Sequence, residues 1–183
     1  MARPPRNPRP IGAQNLEEMA LAYVARFATS AAKLDGYLRR KLRERGWAGE
    51  DEPPVAAIVA RFVSAGYVDD TAYARAKSGS LLRRGYGARR IAQALGAAGI
   101  DAEVRDAVRA GTGVQRRAAL ALAQKRGFGP FGKAEPDRPL RERQIAAMLR
   151  AGHPLDSARE LVNAASPDAA FDWAARGDDG DDA

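Results

Sequence analysis

The stretch LLRRGYGARRIAQALGAAGI, residues 81–100, holds the key to the fold. Ile91 and Leu95 stand one helical turn apart, and the stretch closes as Leu95-x-x-x-Gly99-Ile100: an apolar residue, three positions, glycine, then a larger side chain. A single such ending is common among helices. The same form occurs at Leu42-x-x-x-Gly46-Trp47 and at Met148-x-x-x-Gly152-His153, and the three glycines lie 53 residues apart in both intervals. Equal spacing, with helical stretches on either side of each copy, predicts tandem three-helix units. Units this small bury little surface alone, so neighbours are expected to pack end to end. The expected fold class is therefore all-α: three tandem three-helix repeats, helix-turn-helix-like in outline, in an elongated array.

Elsewhere in the chain, nearly every periodic segment has helical spacing. Leu16, Met19, Ala20, Tyr23, Val24 and Phe27 form one apolar stripe, and Asn15 with Glu18 resembles a capping box at its start. Leu34, Leu38 and Leu42 line a second helix ended by Gly46. Pro53 and Pro54 open a third, striped by Val55, Ile58, Val59 and Phe62 and closed by Gly66. Asp69 and Asp70 are placed to cap a helix that Gly85-Tyr86-Gly87 breaks, and Asp101 to cap one carrying Val104 and Val108. A third round spans about 114–126, 138–151 and 155–165, with GFGPFGKAEPDRP expected as an exposed loop. No alternating β-branched run of strand length occurs. The expected boundaries are a basic disordered tail over 1–14, repeats over 15–67, 68–111 and 112–165, and an acidic disordered tail over 166–183.

Composition narrows the function classes. Without cysteine there are no disulfides or thiolate metal sites, and a cytoplasmic location is expected. His153 is the only histidine, which removes serine-histidine triads and histidine-rich metal sites. No run approaches the ~18 apolar residues of a membrane span, so no membrane association is expected. The N-terminal MARPPRNPRPIG is basic and lacks the apolar centre of a secretory signal. The acidic groups Asp69-Asp70 and Glu50-Asp51-Glu52 each precede an expected helix start, where capping accounts for them. No catalytic constellation, metal site or cofactor is expected. Trp47 and Tyr67 follow glycines and are expected to pack between units; base stacking is the open alternative.

Charge supplies the functional clue. The chain carries +7 overall, but six aspartates and one arginine leave residues 168–183 at −5 and the remainder at +12. Such a body attracts polyanions. Arginine outnumbers lysine 25 to 5, which suits planar contacts to phosphate or carboxylate. The glycines of Gly85-Tyr86-Gly87 do not make a phosphate loop, because a helix precedes them and no Lys-Ser/Thr pair comes after. A helix connector is expected instead, with Gly87 at positive φ or as an N-cap. Arg39, Arg40 and Arg43 lie opposite Leu38 and Leu42, and Arg89 points about 160° away from Ile91 at helical pitch. Arg83, Arg84, Arg90, Arg141 and Arg143 supply further charge near the other middle helices. Recurrence in each unit makes these nine arginines the candidate binding surface.

These motifs resemble the RecX-type regulatory proteins, cytoplasmic modulators of the bacterial RecA recombinase. Three stretches carry the likeness: SAAKLDGYLRRKLRERGW (30–47), FVSAGYVDDTAYARAKSGSLLRRGYGARRIAQALGAAGID (62–101), and KRGFGPF with RERQIAAMLRAGH in the third unit. The middle stretch is the most specific, since Gly-Tyr-x-Asp-Asp, Ala-Arg and Arg-Arg-Ile…Leu…Gly-Ile come in the family's order. The likeness covers about residues 16–165. It departs at His153-Pro154, where the family pattern leads to an aromatic, and in the Pro-rich loop after Phe131. The resemblance implies a curved array, no enzymatic activity and no cofactor. It also implies a RecA–single-stranded DNA filament as partner, whose strand exchange, ATP hydrolysis or growth the protein impedes, modulating DNA repair. On that implication the arginines face the filament or its DNA, and a monomer is expected. The rival reading of the residues is a basic helical module that binds DNA without a recombinase.

Overall fold

Apolar spacing near 3.6 residues yields ten α-helices among residues 9–176, the part of the chain described by a computed structural model. They are α1 Ala13–Arg26, α2 Ala31–Arg45, α3 Val55–Ser64, α4 Asp70–Arg83, α5 Ala88–Gly96, α6 Ala102–Ala107, α7 Thr112–Arg126, α8 Arg138–Arg150, α9 Leu155–Val162 and α10 Pro167–Ala175. The fold is all-α, as the spacing predicts. Among the described residues the one extended pairing is an isolated bridge between Ile11 and Trp47. No described helix is long and apolar enough to cross a membrane. The chain divides into two compact units: Met1–Tyr73 with Ala98–Ile100, and Ala74–Ala97 with Asp101–Ala183.

In the first unit α1, α2 and α3 enclose Leu16, Ala20, Leu34, Leu38, Ile58 and Phe62. Two expectations about its start are corrected. Helix α1 begins at Ala13 with Gly12 as its N-cap, so Asn15 and Glu18 lie inside the helix and form no capping box. Nor do residues 9–14 belong to a disordered tail. Ile11 is fully buried, its N–H donates to Gly46 O at 3.0 Å, and its carbonyl accepts from Ala48 N at 3.0 Å. Residues 1–8 of that expected tail lie outside the described residues. Further on, Pro54 caps α3 and the Asp51 carbonyl accepts from Trp47 Nε1 at 2.6 Å, so capping does not explain that acidic trio. The Asp69-Asp70 pair does cap. Asp69 accepts from Ala72 N, while Asp70 accepts from Ala31 N at the head of α2, each at 2.8 Å.

In the second unit α7, α8, α9 and α10 share a core that includes Ala119, Leu122, Met148, Leu161 and Trp173. The loop after α7 is only partly exposed. A 3₁₀ turn at Gly129–Phe131 brings Phe128 and Phe131 onto that core, and Gly129 N donates to the buried Gln144 side chain at 2.9 Å. The expected acidic disordered tail also begins too early at 166. Ser166 caps α10 by accepting from Ala169 N, and Ala170, Trp173 and Ala174 are buried. Arg116 lies 5.0 Å over the Trp173 ring. Residues 177–183 of that tail lie outside the described residues.

Candidate partner-binding site

The three equally spaced glycines all take a positive φ after a helix: 80° at Gly46, 72° at Gly99 and 98° at Gly152. Two of the turns they make are docked in the same way. In the first unit the 98–100 turn meets the head of α2, where Ser30 Oγ donates to Ala98 O at 2.6 Å and Gly99 lies against Ala32. In the second unit the Gly152 turn meets the head of α5. Gly87 N donates to Ala151 O at 2.9 Å and Arg89 N to Gly152 O at 3.2 Å. Neither Gly87 nor Gly152 has room for a Cβ, because Gly87 faces the Gly152 and His153 backbone while Gly152 faces Arg90 and the Gly87 carbonyl. Gly85-Tyr86-Gly87 is thus the hinge of this joint: Gly85 takes φ 82°, while Gly87 at φ −84° is the N-cap of α5.

His153 completes the joint. It is buried, and its Nε2 lies 2.9 Å from Gly85 O. A carbonyl only accepts, so the imidazole carries its proton on Nε2. Burial pushes its pKa below the usual histidine value, opposed in part by the Gly85 hydrogen bond. A neutral, hydrogen-bonded histidine of this kind serves packing. Among the described residues no group of three His, Cys, Asp or Glu side chains could hold a metal.

The candidate arginines separate into sets. In the first unit Arg39, Arg40 and Arg43 are exposed along α2. Their face is less purely basic than its spacing suggests, since Arg39 pairs with Asp35 at 2.8 Å and Arg40 with Glu44 at 3.7 Å. Exposed pairs of this kind are screened by solvent and exchange readily for an external partner. In the second unit the hinge brings Arg83, Arg84, Arg89 and Arg90 around the joint, all exposed. Arg84 covers the Tyr86 ring at 5.3 Å, and Arg89 Nη2 donates to Leu149 O at 2.7 Å, so Arg89 also ties α5 to α8. Arg143 is exposed, whereas Arg141 is half-buried and held by Glu135 at 2.6 Å. Both sit on the first two turns of α8, about 10–14 Å along the helix from its end at Arg150 at about 1.5 Å per residue.

An aromatic cluster on the first unit was hidden in the sequence. Tyr23 and Phe27 read as core positions of the α1 stripe, yet Phe27 is about half exposed. Tyr23 stacks on Tyr37 with centroids 4.2 Å apart, and Phe27 tilts against Tyr23 at 5.4 Å. Arg40 lies over Tyr37 at 5.6 Å and Arg26 over Phe27 at 5.9 Å. Phe27 ends α1, and the signal for its exposure is the segment Ala28-Thr29-Ser30, which continues no apolar stripe. Tyr67 corrects an expectation too. It is 60% exposed, with Phe62 as its ring neighbour, and is not packed away between units. Trp47 packs on the first unit's core.

Comparison with known proteins gives a consistent result. A family model described as RecX, second three-helix domain, matches residues 69–108. A regulatory protein RecX of Myxococcus xanthus (strain DK1622) is 34% identical over 175 residues, covering 88% of this chain and 91% of the relative. One from Mycobacterium sp. (strain KMS) is 35% identical over 160 residues, covering 85% and 86%. Among solved structures, RecX from Lactobacillus salivarius matches with a TM-score of 0.66 at 16% identity, over 82% of this chain and 94% of that one.

Proposed function

The chain belongs to the RecX family of regulatory proteins, and on that premise we propose that it is a non-catalytic regulator of the RecA–single-stranded DNA filament, inhibiting ATP hydrolysis, strand exchange and filament extension. The observation that carries the reading is the recurrence of exposed arginines on successive repeats: Arg39, Arg40 and Arg43 on α2, then Arg83, Arg84, Arg89 and Arg90 at the α4–α5 hinge. A filament presents the same surface at regular intervals. A repeat protein with a basic face on each unit has the matching form. Contacts to more than one recombinase protomer would resist the rearrangement that ATP turnover requires. Contacts at a filament end would block extension. The direct test is the DNA-dependent ATPase of RecA, titrated with this protein. The expected result is saturable inhibition, and undiminished turnover at saturating protein removes the proposal.

The aromatic cluster favours a second reading, direct binding of single-stranded DNA. Phe27 and the Tyr23–Tyr37 pair, flanked by Arg26 and Arg40, combine a stacking face with phosphate-binding charge. This reading expects Phe27→Ala to weaken binding to bare oligonucleotide by about 1–3 kcal/mol. It also expects affinity to fall steeply with salt. Tight filament binding alongside weak bare-DNA binding decides against it.

A further inference from the structure

The second unit holds a cleft of about 720 Å³ that shares only Arg89 with the arginines assigned to the filament. Its walls come from α4, α5 and α6 and from the turn joining α8 to α9. The floor is aliphatic, set by Ile91, Leu95 and Val108, while Arg89, Arg105 and Arg109 line it from different elements. One acid, Asp106, stands among the lining residues, so the guanidinium groups outnumber the carboxylate. Two polar atoms there have no hydrogen-bond partner: Ser78 Oγ, on a side chain only 5% exposed, and Arg105 Nε. Buried polar atoms without partners are rare in folded proteins and call for a ligand or an ordered water.

We infer that this cleft is a docking site for a short peptide segment of a partner protein, one bearing aliphatic side chains and at least two carboxylates. The aliphatic floor asks for apolar side chains, and a volume of this size lies in the range of sites that enclose a ligand. Three guanidinium groups on separate elements ask for more than one carboxylate, which a peptide provides along its length and a simple fatty acid does not. Nucleic acid fits poorly, because the lining residues include no Phe, Tyr or Trp, and the one imidazole there, His153, is buried and bonded to Gly85. The inference shares Arg89 with the filament reading, rests otherwise on residues that reading leaves out, and can be tested without a recombinase.

The probe is a fluorescein-labelled hexapeptide, Glu-Leu-Glu-Leu-Leu-Glu, titrated against the full chain by fluorescence anisotropy. Its controls replace every leucine by serine or every glutamate by lysine. The acidic leucine peptide should bind at least about tenfold more tightly than either control. Two variants at exposed positions locate the site: Arg109→Glu reverses a wall charge, and Ala92→Trp fills the cleft from α5. Each should weaken the peptide by about tenfold or more while leaving the thermal midpoint unchanged. Absence of binding at millimolar peptide overturns the proposal. So does equal binding of the three peptides, or binding by both folded variants at wild-type strength.

Discussion

His153 Nε2 and the carbonyl oxygen of Gly85 stand 2.9 Å apart, tying the turn after α8 to the hinge after α4. Burial keeps the imidazole neutral by lowering its pKa, and the Gly85 hydrogen bond opposes that in part. In the unfolded chain the same group titrates near 6.5. Below that pH the unfolded state gains a proton that the folded state resists. The stability due to neutral His153 is therefore fully present above the unfolded value and is lost as pH falls toward the folded one. Thermal midpoints taken from about pH 8 to pH 5 should fall on acidification, and less so in His153→Gln, whose amide still reaches a carbonyl. Identical pH profiles would show that His153 does not titrate with folding.

The glycines of the joint separate backbone strain from steric exclusion. At Gly46 a Cβ meets nothing within 4 Å, but φ 80° with ψ 167° is a region essentially reserved for glycine, so Gly46→Ala bears only that backbone cost, about 1–3 kcal/mol. At Gly87 the backbone suits any residue, but a Cβ meets Gly152, so Gly87→Ala costs about 1–3 kcal/mol through overpacking. Gly152→Ala combines both and should be the most destabilising of the three. Urea denaturation gives the order directly, and a Gly152→Ala midpoint at or above that of Gly46→Ala contradicts it.

Helix α10 covers the end of the second unit's core, so Trp173 should matter well beyond its place in an acidic segment. Trp173→Ala is expected to cost about 3–5 kcal/mol, since it removes a buried indole and the ring beneath Arg116. Phe171→Ala on the same helix should cost about 1 kcal/mol, because the ring is nearly half exposed and keeps only an edge contact with Phe131. Equal losses in the two variants would mean that α10 does not pack as described.

Helix spacing made most of the fold legible. Ile91 and Leu95, or Leu34 and Leu38, repeat at one helical turn, and the glycines after each middle helix take a positive φ. The features that stayed hidden depend on contacts distant in sequence. Ile11 is ordered by Gly46, and Trp173 by the faces of α7 and α9, while composition alone marks both ends as charged and loose. The arginines show the same limit. Spacing places Arg89 on an outward face and Arg141 among the charges near the third middle helix, but only the folded chain brings Arg89 to the Leu149 carbonyl and Arg141 to Glu135. A charge run in sequence carries no record of which charges the fold itself consumes. Phe27 is the converse case, periodic with a core stripe yet left exposed where α1 ends.

If exposed arginines on successive repeats hold a recombinase filament, reversing their charge should release it. Co-sedimentation with preformed RecA–single-stranded DNA filaments measures this, using Arg39→Glu/Arg43→Glu in the first unit and Arg90→Glu/Arg143→Glu in the second. These positions are exposed; Arg39 pairs with Asp35 on its own helix, whereas Arg89 and Arg141, which tie α5 to α8 and hold a loop acid, are left in place. Each double variant should keep the wild-type thermal midpoint and lose about tenfold or more in filament affinity, with a weaker salt dependence. If both bind the filament as tightly as the wild type, these arginines are a solvated face and the account is wrong.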